Sequence, residues 1–106
     1  MTPWRKTHFL SMLSSIDQNT IERIAGLAAD LTPPSEIAAL LDIDPDLLKA
    51  ELAIKTSPVR IAYFKAKAQT ALMLRKQELE FARVGSPLAV QLTGSYLREM
   101  SIDEDL

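Results

Sequence analysis

The chain has 106 residues, of which 47% are apolar and 25% charged, with a formal net charge of −2; this is the size and composition of one globular domain. It has no cysteine, one histidine (His8) and three glycines, which excludes disulfides, cysteine nucleophiles, thiolate or multi-histidine metal sites within one chain, and glycine-rich phosphate loops. Apolar runs such as 37–41 are too short to span a membrane, and no long apolar region follows Arg5 and Lys6, so neither a spanning helix nor a secretion signal is expected.

In chain order, residues 1–18 read as an N-terminal arm. Trp4, His8, Phe9, Met12, Leu13 and Ile16 have helical spacing there and would dock on the same chain or on a neighbour. Residues 19–56 read as a three-helix unit. Asn19-Thr-Ile-Glu22 has the pattern of a capping box, and Ile21, Ile24, Ala25, Leu27, Ala28 and Leu31 form the stripe that follows it. Thr32-Pro33-Pro34, with Ser35 as an alternative cap, starts a short helix carrying Ile37, Leu40 and Leu41. Asp44-Pro45 starts the next, carrying Leu47, Leu48, Leu52 and Ile54. In each case a capping oxygen precedes a proline whose missing N–H would have no intrahelical partner.

Residues 57–100 read as a helical hairpin. Ser57-Pro58 starts a long helix over 58–84, Gly85 closes it in a left-handed conformation, and Ser86-Pro87 starts a last helix to about Met100. The long helix has two apolar faces. Ile61, Phe64, Ala68, Leu72 and Leu79 form one; Ala62, Ala66, Met73, Phe81 and Val84 form the other, which is the candidate oligomer seam. Leu88, Leu92, Tyr96 and Leu97 line the last helix. Residues 101–106 read as a frayed acidic tail. No segment alternates apolar and polar long enough for a strand, so the expected fold is all-α.

Residues 35–54, SEIAALLDIDPDLLKAELAI, resemble a helix-turn-helix, with the turn at Leu41-Asp42-Ile43-Asp44, small Ala38 at the helix crossing and Ile43 beneath the turn. Asp42 stands where glycine is commonest, a mild departure because Asp tolerates a left-handed turn. The outward face of the second helix should hold Pro45, Asp46, Lys49 and Ala53, with no Arg, Asn or Gln to read base edges. Three readings stay open: direct base reading by this helix, backbone phosphate contacts through Lys49, Lys55 and Arg60, or packing of this unit against protein.

Charge is segregated along the chain. Residues 17–51 carry eight acids and two bases, residues 52–98 carry eight bases and two acids, and the last eight residues carry four acids. This layout serves an anionic partner at the basic half, joins the acidic half of one subunit to the basic half of the next, or balances within one monomer. Lys49, Lys55, Arg60, Lys65 and Lys67 are the candidate DNA-phosphate contacts. No nucleophile, base and oxyanion-donor set is present, so no catalytic residue, metal or cofactor is expected. Arg75, in line with the apolar stripe, reads as a rim arginine or as a partner for a neighbour's carboxylate.

The order of a compact helix-turn-helix, a basic long helix, a GSP-type break and a final helix resembles the terminase small subunits of tailed bacteriophages and prophages. The resemblance is carried by Ala62-Tyr63-Phe64-Lys65-Ala66-Lys67, Leu74-Arg75-Lys76-Gln77-Glu78 and Phe81-Ala82-Arg83-Val84-Gly85-Ser86-Pro87-Leu88-Ala89, and covers about residues 19–100. It implies a non-enzymatic packaging factor in a bacterial or phage-infected cytoplasm. Such a factor binds double-stranded DNA, assembles as a homo-oligomer through its central helices and regulates a large ATPase subunit. It needs no small-molecule substrate. The chain is short for that family and its second helix acidic for a DNA binder. The alternatives are a small dimeric helix-turn-helix regulator, with recognition helices about 34 Å apart, and a structural helical module that binds only protein.

Overall fold

The computed structural model describes residues 16–104. Among them are five α-helices and no strand: α1 (Gln18–Ala29), α2 (Pro34–Leu41), α3 (Pro45–Ala53), α4 (Pro58–Arg83) and α5 (Pro87–Glu104). The fold is all-α. The chain divides into two compact units, one ending at Thr70 and one beginning at Ala71, so the division falls inside α4 and not at residue 57. The reason is that the first turns of α4 supply Val59, Tyr63 and Ala66 to the core of the first unit.

In the first unit each helix is punctuated by a local polar contact. Asp17, not Asn19, caps α1: its carboxylate accepts from the Thr20 N–H at 2.8 Å. α1 ends with the Thr32 N–H donating to the Leu27 carbonyl at 3.0 Å, which puts Leu31 in the left-handed region at φ 61°. Leu31 therefore leaves the α1 stripe and is half exposed rather than core. α2 begins at Pro34 without a side-chain cap. It ends at Asp42 (φ 55°, ψ 42°), with the Asp42 and Ile43 amides both donating to the Ala38 carbonyl. Asp44 then caps α3 through the Asp46 N–H at 2.9 Å. The buried Ser57 hydroxyl accepts from the Val59 N–H at 3.2 Å and donates to Glu51 at 2.6 Å, joining the start of α4 to α3.

Ile24, Ile37, Leu48 and Val59 are the largest fully buried side chains, one from each of four helices. Each contributes about 1.5–3 kcal/mol on burial. Ile21, Ala28, Ala38, Tyr63 and Ala66 complete this core, and Ile16, Leu41, Ile43 and Leu52 pack against it. Ala38 is fully buried, where a larger side chain would push the helices apart.

Hydropathy offers two apolar faces of α4, and the side used in this core is the one that carries Ala62 and Ala66. Val59, Tyr63 and Ala66 point inward, while Ile61 and Phe64 are 56% and 42% exposed. At about 100° per residue the two sets lie on opposite sides of the helix. This corrects two candidate seam residues. Ala66 is buried in its own subunit's core and Ala62 packs against that core, so neither is free to meet a neighbour.

In the second unit the remainder of α4 and α5 are joined at Gly85, whose φ is 91°. The Ser86 N–H donates to the Phe81 carbonyl at 3.1 Å, and the Ser86 hydroxyl accepts from the Ala89 N–H at 3.3 Å. α5 runs to Glu104, four residues beyond the expected end. No Gly or Pro follows Gly94 to stop the helix there, and within its last turns the Ser101 hydroxyl donates to the Leu97 carbonyl at 3.1 Å. Residues 101–104 are helical, not a frayed tail. The arm residues Trp4, His8, Phe9, Met12 and Leu13 lie outside the described residues.

Candidate nucleic-acid interface

The candidate phosphate contacts fall on α3, on the connection after it and on the start of α4. Lys49 is exposed on α3 beside exposed Pro45, Asp46 and Ala53. That face has one base and one acid at its rim, with Asp44 exposed at the helix start. It presents no Arg, Asn or Gln to read a base edge. Lys55 is exposed between α3 and α4.

On α4 two of the cations converge on one aromatic ring. The Arg60 guanidinium lies 4.7 Å from the Phe64 ring centroid and the Lys67 ammonium 5.7 Å from it. The cause is helical spacing: four residues before and three after Phe64 bring both stems to its side. Arg60 also donates to the Leu52 carbonyl at the end of α3, so its guanidinium is held from two directions while half buried. A guanidinium has five donors in a planar fork, and these contacts leave several free for an incoming oxyanion. Lys65 is exposed but lies about 140° around α4 from Arg60. It does not join this cluster.

Hydropathy groups Phe64 with Ile61, Ala68, Leu72 and Leu79 on one apolar face and does not show its contact with two cations. The signal was present in the Arg60–Phe64–Lys67 spacing, which matches a helical cation–ring cluster. Next to it, Lys67 and Tyr63 line a shallow pocket of about 260 Å³ with Ala28, Leu31, Thr32, Pro33 and Pro34.

In the second unit Met73 and Phe81 on α4 are each 56% exposed and Val84 just after it is 81% exposed, so these three candidate seam residues are open on the surface. A separate groove of about 350 Å³ runs between α4 and α5, lined by Leu72, Arg75, Lys76, Leu79, Thr93, Tyr96, Leu97 and Met100. Among the described residues no group of three His, Cys, Asp or Glu side chains is placed to hold a metal ion, and no helix is long and apolar enough to cross a membrane. Compared with known proteins, the chain matches no family model, no curated protein and no solved structure.

Proposed function

We propose that the chain is a non-enzymatic DNA-binding factor that assembles with copies of itself and grips double-stranded DNA through backbone phosphates. The observation that carries this reading is the Arg60–Phe64–Lys67 cluster, an anchored guanidinium and a second cation beside one ring on α4. Phosphate contact needs positioned cations and no base-reading side chains, which fits the exposed face of α3. Lys49, Lys55 and Lys65 add weaker contacts around it. A few such contacts per chain bind weakly, and an assembly multiplies them. The exposed Met73, Phe81 and Val84 support assembly. The packaging role, with a large ATPase subunit as partner in a bacterial or phage-infected cytoplasm, rests on the sequence resemblance to terminase small subunits.

The test is titration of a labelled duplex at low salt, read by anisotropy. Arg60→Ala and Lys67→Ala should each weaken binding, and Asp46→Ala should not. Equal affinity for wild type and both cation variants would refute the reading. A protein-binding module without DNA affinity is the second reading, favoured by exposed Asp44 and Asp46 on α3. It predicts no anisotropy change with duplex at any salt.

A further inference from the structure

The groove between α4 and α5 is apolar, open and built by both helices. Leu79, Leu97 and Met100 are 44%, 66% and 57% exposed along it. From Ala71 onward Ala89 is the one buried residue among those described. Burying one methyl contributes under about 1 kcal/mol, so this helix pair does not cover its own inner face. A four-helix bundle is a common arrangement in which two such pairs close a core.

The charges at one end of the groove bear on what covers it. Arg75 lines a cleft of about 360 Å³ together with Tyr96, Glu99, Met100 and Asp103. Among the described residues the recorded ion pair is Arg83 with Glu80, elsewhere on α4. Arg75 and the two carboxylates thus present opposite signs on one rim without pairing. A two-fold axis through that rim brings each copy's cation against the other copy's anion. Self-complementarity of this kind is what an isologous contact requires.

We infer that the occupant of the groove is the same groove of a second copy, so that two chains close a two-fold four-helix bundle with reciprocal Arg75–Asp103 pairs. The inference rests on the assembly part of the function proposed above and specifies its first contact. The Met73–Phe81–Val84 surface stays free to join one dimer to the next.

The test uses the full chain, with native mass by light scattering over a concentration series and helicity by circular dichroism. Arg75→Glu and Asp103→Arg should each raise the dimer dissociation constant about tenfold, and the double variant should recover most of that loss. Leu97→Asp should dissociate the dimer with helicity retained in the first unit, and Val84→Asp should leave the dimer intact while removing any larger assembly. A double variant no better than either single one overturns the inference, as does dissociation by Val84→Asp but not by Leu97→Asp. In both of those cases the chain still assembles and the proposed function stands. A monomer at every concentration removes the groove contact and the assembly reading together. DNA binding is read separately by the duplex titration.

Discussion

The Thr70 hydroxyl donates to the Ala29 carbonyl oxygen at 2.6 Å, tying the middle of α4 to the last turn of α1. Carbonyls at a helix end have no intrahelical partner, so this side chain supplies one from forty-one residues away in sequence. The bond also stands where the first compact unit ends. Thr70→Val keeps the shape of the side chain and removes the donor. It should cost about 1 kcal/mol in a urea titration, with helicity unchanged.

Ser57 does two jobs at the start of α4. Its hydroxyl caps the helix through the Val59 N–H and donates to Glu51 on α3. Ser57→Ala removes both contacts in a buried position and should lower stability by about 1–2 kcal/mol. Glu51→Gln keeps an acceptor for the hydroxyl and should cost less. Thermal melts of the two variants would order them.

Two non-glycine residues sit in the left-handed region, Leu31 at φ 61° and Asp42 at φ 55°. Asp tolerates that conformation better than most residues, and Leu gains nothing local from it. Leu31→Gly should therefore stabilise the first unit by up to about 1 kcal/mol, and Asp42→Val should destabilise it by about 1–2 kcal/mol. A fall in melting temperature for Leu31→Gly would contradict this account of the α1 terminus.

The Asp17 carboxyl is held below the usual carboxylate range, first by the Thr20 backbone N–H and then by the Thr20 hydroxyl. A depressed folded-state pKa means a contribution present above the unfolded value and lost as pH falls through the folded one. The stability difference between wild type and Asp17→Ala should be full near pH 7 and shrink in the acid range below the ordinary carboxylate pKa. A difference that persists undiminished at pH 2 would show that the carboxylate charge has no part in the cap.

Much of this fold was legible because its punctuation is chemical and local. Asp44, Ser57 and Ser86 each precede a proline and each caps as that pairing implies. Gly85 and Asp42 take the left-handed conformations that their positions between helices demand. The buried face of α4 was not legible. Ile61 and Phe64 are more apolar than Tyr63 and Ala66, yet the latter pair is buried, because the helices that α4 meets decide which side is covered. The start of α1 was misplaced for a related reason: Asp17 and Asn19 are both good caps, and only the backbone entering the helix chooses between them. For the candidate interface, the cations were visible as a charge run. Their sorting was not, since Arg60 and Lys67 meet at Phe64 while Lys65 turns away.

If Arg60 and Lys67 on α4 hold DNA through its phosphates, duplex affinity must depend steeply on salt. Each phosphate contact contributes about −0.9 to the slope of log affinity against log salt. Wild-type affinity should fall steeply between low and moderate salt. The slope should be shallower by about 1 for Arg60→Ala and again for Lys67→Ala, whatever the duplex sequence. An affinity that barely changes with salt, or a slope that both substitutions leave intact, would contradict phosphate contact by these two cations.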